Sequence, residues 1–493
     1  MTSMTPRRVV WLMAGLAALS RFPGLVHPPY PDEAGYLYVA QHWHPSADSV
    51  YGAYFVDRAP ILIGVFRLGD LLGGTPAVRI FAAVACALLV LAAAAVAREV
   101  AGTDRAAAWT AVATAAVAGS PAIEPINAKG EVLGIPLVVA AIWLALVAVR
   151  TRSTWPAFGA GLLAMTAVGM KQNMVTGLVF GAVLLVASTL TGVLDRRTTG
   201  RLGAAAVAGA VVPVVAVIVW AEAAGVSMHA LWYAVWGFRA DAARAMAEHG
   251  DPYPGSRAGG VIVRAVSGGL APIALLFLIR LRACWRQDRA VTAAAAALLL
   301  TDGPLLVLGG SWWRSYLFLL VPGTVVFVSL LLRSDGFGRK GIRLLTGYAA
   351  CVALLGAAWW GGQVVHPTLH DDPWNTGLGI AASAEAGDTI VAPGRPDTTA
   401  ASGLTAPYPY LWPLIQVTLD PDATQLETLL AGPEAPTWFV WDPPLSERPD
   451  SELQAVLDAH YAISGTSCAG LPVYLRLGVD RAPVAPDCER TGY

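Results

Sequence analysis

The chain has 493 residues, 56% of them hydrophobic and only 14% charged, with a mean hydropathy of +0.56 and a formal net charge of -1. Soluble domains carry roughly 25% charged residues, so this composition excludes an ordinary soluble enzyme. It points to a polytopic α-helical membrane protein.

Apolar runs near the ~20 residues that cross a bilayer as helix recur through most of the length. Eleven are read, over about 9–26, 76–97, 105–120, 132–149, 156–170, 174–193, 203–222, 261–280, 290–309, 315–332 and 343–361. Only Lys171, Gln172 and Asn173 divide the fifth from the sixth. The first run, behind Arg7 and Arg8, has two features of a cleaved signal peptide, a short apolar core and small residues near its end. It is read as retained, because apolar character continues past Arg21 to Val26.

Charge gives an orientation. With the N-terminus in the cytoplasm, every inner loop is basic: Arg98 with Arg105, Arg150 with Arg152, Arg196 with Arg197 and Arg201, Arg280 through Arg289, and Arg333 through Arg343. Outer connections hold few cations, chiefly Lys129, Lys171 and Arg314, and the two longer outer loops, 27–75 and about 223–260, mix theirs with acids. Eleven helices then place the C-terminus outside.

In the first outer loop, Pro31 followed by Asp32 and Glu33 reads as a helix start, running through Tyr36 and Tyr38 to about Trp43. Either acid has a plain role there: Asp32 caps free backbone N–H groups, and Glu33 lies on a solvated face. Two acids beside a bilayer are nevertheless expensive, and ionisable groups at such positions are commonly functional. The other unusual polar residues, Asp57, Arg58, Glu124, Lys129, Glu131, Lys171 and Arg314, fall on the same side, as expected for a site open to the outside.

From about residue 366 the composition turns soluble, with five Arg, no Lys and seventeen Asp plus Glu. "DTIVAP", "TWFVWD" and "LPVYLRL" read as strands and "SELQAVLDAHY" as an amphipathic helix, giving a small extracytoplasmic α/β domain. The expected organisation is a membrane module over 1–365 and this domain over 366–493. Cys468 and Cys488 both fall in it and are expected to pair as a disulfide, whereas Cys86, Cys284 and Cys351 lie in or beside membrane segments.

The loop "PDEAGYLYVAQHW", followed by "DRAPILIGVFRLGDLL", resembles the type C (GT-C) glycosyltransferases of the protein O-mannosyltransferase and lipid A aminoarabinose transferase superfamily. "SPAIEPINAKGEVLGIPLVVA", "GLLAMTAVGMKQNMVTGLV" and "GGSWWRSYLFLLVPG" match further family connections in the same order. The resemblance covers most of residues 1–361. Ala59 stands where the family often has a first Pro, and Ser315 where a His often precedes the Tyr.

The resemblance implies transfer of a sugar from a polyprenyl-phosphate donor to an acceptor hydroxyl on the outer face, with inversion. Such a displacement needs a base for the acceptor proton and a cation for the departing phosphate. It implies Asp32 as base, with Glu33 orienting the acceptor. The phosphate candidates are Arg58, Lys171 and Arg314. Each has a plain alternative: Arg58 pairs with Asp57, Lys171 snorkels to headgroups, and Arg314 joins an aromatic belt. Glu131 lines the site or pairs with Lys129 and Glu124, and Tyr36, Tyr38 and Tyr316 stack on a sugar or pack at the interface. His42 and His44 read as loop-surface residues.

No cofactor is required, although Asp32, Glu33 and Asp57 offer hard oxygen ligands to a divalent cation. The expected partners are the lipid-phosphate sugar, a glycan, lipid or protein acceptor, and membrane lipids, with no nucleic acid. A composition rich in Ala, Gly, Val and Arg suggests a bacterial plasma membrane. The alternative reading is a transporter or flippase of a lipid-linked substrate, which predicts inverted repeats and charges at bilayer depth. No repeat is visible. A scaffold presenting the C-terminal domain is a third reading, and it gives no reason for the "PDEA" stretch.

Overall fold

The computed structural model describes residues 4–123, 126–249, 254–309, 311–334, 336–441 and 451–491. Each expected apolar run is helical: Pro6–Leu19 with the 3-10 turn Phe22–Val26, Thr75–Ala101, Asp104–Ala118, Gly130–Thr151, Thr154–Met170, Thr176–Leu190, Arg196–Ala223, Leu270–Gln287, Arg289–Leu308, Val321–Arg333 and Gly336–Val365. Among the described residues, seven spans are long and apolar enough to cross a membrane, or eight if one bent pair is counted; 154–170 and 176–190 are shorter apolar helices. Together they make a polytopic helical membrane fold with a small C-terminal α/β part.

The eighth run departs from its expected form. Instead of one segment at 261–280, helices 255–267 and 270–287 meet at 66°. The break lies at Gly268 and Gly269, and Gly269 has φ +84°, a left-handed conformation that a side chain resists.

The chain divides into two compact units. One comprises Met1–Leu25, Val78–Val219 and Tyr253–Gly362. Within it the 130–151 helix packs along 154–170, 176–190 along 289–308, and 6–19 along 104–118. Two arginines are buried there: Arg21 donates to the Asn127 carbonyl (3.1 Å) and Arg79 to that of Gly24, so each cation meets backbone dipoles instead of lipid.

The other unit comprises Val26–Ala77, Trp220–Pro252 and Gln363–Tyr493, so the two long loops of the sequence join the C-terminal part that begins close to residue 366. The first loop carries helices Pro31–Gln41 and Pro60–Leu71, each started by a proline whose missing N–H costs a helix nothing at that position. The second is helical over Met228–Trp232 and Phe238–His249, joined by a π turn over Tyr233–Gly237.

The C-terminal sheet has four strands, β1 (Ile390–Val391), β2 (Trp438–Val440), β3 (Tyr461–Thr466) and β4 (Pro472–Arg476), in the order β1-β2-β4-β3. β1 runs parallel to β2, and the β2–β4 and β3–β4 pairs are antiparallel. Alternation sorts its side chains: Val391, Phe439, Tyr461 and Tyr474 enter one buried cluster, while Ile390, Trp438, Val440, Val473 and Leu475 enter another. Cys468 and Cys488 form a disulfide with Cα atoms 5.3 Å apart.

Candidate active site

The 31–41 helix is buried over nearly its whole length, and its first turn carries the two acids. Tyr30 is the N-cap, and its backbone N–H donates to Glu33 Oε2 at 3.3 Å. The carboxylate that closes the helix start is therefore Glu33, buried to 1% exposure and not on a solvated face, whereas capping was the plain alternative read for Asp32. Asp32 is half-buried and accepts a hydrogen bond from Trp412 Nε1 at 3.2 Å.

One turn on from Asp32, Tyr36 lies on the same side of the helix. Its ring meets Phe66 edge-on at 5.2 Å and Trp412 at 5.5 Å, and the Arg58 guanidinium stands 5.9 Å from its centre. Arg58 pairs with Asp57 at 2.7 Å, and Arg239, from the 238–249 helix, pairs with the other oxygen of the same carboxylate. Tyr51 donates to the Arg58 carbonyl at 2.6 Å, which fixes the backbone carrying that cation. The unit thus sets a half-buried acid, an aromatic ring and a guanidinium along one face of a rigid helix. A carboxylate and a cation that both neighbour one aromatic ring form an arrangement suited to accepting a proton while an anion departs.

The far end of the helix is bound to the C-terminal segment. Tyr38 Oη donates to the Leu404 carbonyl at 3.0 Å and accepts from the Ala406 N–H at 2.8 Å, and it lies 3.0 Å from Tyr54 Oη. Burial, with Tyr54 adding to it, raises the Tyr38 phenol well above its ordinary range, so it remains protonated. Tyr38 is thereby a strut. His42 is satisfied by the Tyr38 carbonyl at 2.8 Å, and His44 is exposed.

In the other unit, Lys171 forms an ion pair with Glu131, and both side chains are more than nine-tenths buried. The ammonium sits 4.2 Å from the Tyr316 ring centre. Lys171 thus has a protein partner, where the sequence offered snorkelling as its plain role. Arg314 is exposed at the start of the 3-10 helix Arg314–Leu320. Glu124 lies outside the described residues.

No protein-family model matches the sequence, and neither does any curated protein. Solved structures do. ArnT from Cupriavidus metallidurans in the apo state superposes with a TM-score of 0.61 at 15% identity, over 94% of this chain and 97% of that one. ArnT from the same organism bound to undecaprenyl phosphate gives 0.61 and 15% over 95% and 97%. The chain has the fold of ArnT. ArnT is a lipid A aminoarabinose transferase of the type C glycosyltransferases, so the fold expected from the sequence motifs is the fold present.

Within this ArnT fold, among the described residues, no three His, Cys, Asp or Glu side chains are grouped to hold a metal ion. The set of Asp32, Glu33 and Asp57 offered by the sequence is accordingly not assembled: Glu33 is spent on Tyr30, and Asp57 on Arg58 and Arg239. Three residues of the unit that carries these acids were missed by sequence reasoning. Arg239 was one cation of a mixed outer loop, and neither Trp412 nor Asp397 was singled out. Asp397 is 1% exposed; burial, with Asp371 nearby and Arg395 only partly offsetting it, pushes its carboxyl up to about 7.

Proposed function

We propose that this protein is a membrane glycosyltransferase that moves a sugar from a polyprenyl-phosphate donor to an acceptor hydroxyl on the outer face of a bacterial plasma membrane. The observation that carries the reading is the likeness to ArnT over 94% of the chain, one of the two ArnT structures being bound to undecaprenyl phosphate. The basic inner loops support the orientation, with the N-terminus in the cytoplasm and the acidic motif and C-terminal domain outside.

In the proposed reaction the acceptor oxygen attacks the anomeric carbon as the bond from that carbon to the phosphate oxygen breaks. The acceptor proton passes to Asp32, the electron pair leaves with the polyprenyl phosphate, and the configuration inverts. Arg58 is assigned to the phosphate, because a guanidinium makes paired, charge-assisted bonds to phosphate oxygens and this one is already fixed by Asp57. Glu33 keeps Asp32 in place by closing the helix start. A monophosphate leaving group requires no metal ion in this scheme.

The test is incubation of purified full-length protein with radiolabelled polyprenyl-phosphate arabinose, mannose and aminoarabinose. Release of polyprenyl phosphate with loss of the labelled donor supports the reading. Movement of labelled lipid across a vesicle membrane without cleavage would replace it with the flippase.

A further inference from the structure

The C-terminal segment reaches the proposed base with the side chain of Trp412. An indole has a single N–H donor and no acceptor, and that of Trp412 is aimed at Asp32 Oδ1, 3.2 Å away. The ring is fixed on several sides. Its face is tilted against Tyr36 at 5.5 Å, and it packs with Phe55, Tyr233 and Leu414 around the buried Phe238, Ala242 and Ile415. Trp412 is also the N-cap of the Pro413–Leu419 helix, with extended backbone (φ -109°, ψ 145°), so the main chain at this point is set by the proline that follows.

Gly35 shows that the approach is tight. A Cβ at that position would lie 2.3 Å from Trp412 Cζ2, 2.9 Å from Cη2 and 3.0 Å from Pro396 Cβ. The helix can admit the indole only because residue 35 has no side chain. The close packing and the aimed N–H meet at the same turn, since Asp32 and Tyr36 share one face. Phenylalanine would fill much of the same space without donating to the carboxylate.

We propose that Trp412 is a positioning residue for Asp32, so that the C-terminal segment helps to set the orientation and proton affinity of the base in the glycosyltransfer reading, on which this inference rests. A hydrogen bond to the ionised carboxylate favours that form over the protonated one. Other charged groups on this helix and on the elements packed against it include Glu33, Arg58, Arg67, Asp70, Arg395 and Asp397. All are unchanged when only Trp412 is replaced, so a comparison isolates the indole.

The test uses the full chain in two arms. In the first, Asp32 is labelled with dicyclohexylcarbodiimide, which reacts with protonated carboxyl groups, and the labelled peptide is quantified by mass spectrometry across pH. Trp412→Phe is expected to raise the pH of half-labelling by about half a unit or more. Trp412→His, which restores an N–H donor, is expected to return part of that shift and keeps the test open if the Phe variant does not fold. In the second arm, turnover of the labelled donors falls about 3- to 30-fold in kcat with KM within twofold, and the acid limb of the pH profile moves upward.

An unchanged half-labelling pH overturns the proposal, and so does a labelling shift with kcat unaltered. A wild type that consumes no donor defeats the glycosyltransfer reading, while the labelling arm still decides whether the indole acts on Asp32.

Discussion

Lys171→Met tests how the apolar unit tolerates the loss of a buried ion pair. Lys171 and Glu131 side chains are 9% and 3% exposed, so removing the ammonium strands a carboxylate with little access to water. Breaking a buried pair in this way costs about 3–5 kcal/mol, and loss of the contact with Tyr316 adds about 0.5–2 kcal/mol. The double replacement Lys171→Met with Glu131→Leu removes both charges and is expected within about 1–2 kcal/mol of wild type, because apolar residues of similar volume commonly replace buried pairs at little cost. Glu131→Leu alone breaks the same buried pair at about 3–5 kcal/mol, so the coupling between the two sites should reach about 4.5 kcal/mol or more. The assay is the unfolding free energy in mixed micelles, followed by tryptophan fluorescence. A single variant as stable as wild type, or a double variant as unstable as the single, would refute the argument. A stable double variant with no turnover would assign Lys171 a catalytic duty in addition to its structural one.

Two further outcomes follow from the other unit. Gly35→Ala places a Cβ against Trp412 and Pro396, and the overpacking should cost about 1–3 kcal/mol and lower donor turnover in parallel with Trp412→Phe; a variant with unaltered melting and turnover would mean that the indole shifts freely. Asp397 holds its proton up to about pH 7, against an ordinary value of 3.8, so the folded state binds more protons than the unfolded chain between those limits. Its contribution is fully present below about pH 4 and is lost as pH rises toward 7, a change of about 4 kcal/mol over the window. Asp397→Asn, which retains an oxygen for the Thr398 N–H, should flatten that dependence and raise stability at pH 8; thermal melts with the same slope as wild type would contradict this.

The apolar helices were legible because their signal is local. A run of apolar residues of sufficient length has few other places to go, and all eleven runs became helices, though the run at 261–280 was divided because two glycines lie within it. The acidic helix start was legible for the same reason, as proline followed by acids marks a first turn. Which acid would cap was not, because that depends on side-chain reach: Glu33 at the third helical position bends back to Tyr30. β3 escaped notice because only Tyr461 is buried and the rest of the strand is exposed or half-buried, leaving no clean period-two pattern.

The partners of the candidate site were the least legible. Trp412 lies 380 residues from Asp32, and Arg239 comes from a loop read as a mixture of charges. Pairing across such distances is fixed by tertiary packing, and no spacing rule within one sequence encodes it. The absence of a side chain at Gly35 was visible, but its purpose appears only once the indole that fills the gap is in place.

The central claim is that Asp32 serves as the base in sugar transfer from a polyprenyl-phosphate donor. Its most direct test is the single-turnover rate of donor cleavage by wild type beside Asp32→Asn, with melting curves confirming that both are folded. General-base removal commonly costs 10²- to 10⁴-fold, and a loss of about that size is the result expected here. Equal rates in the two proteins would contradict the account and leave Asp32 a structural acid held by Trp412.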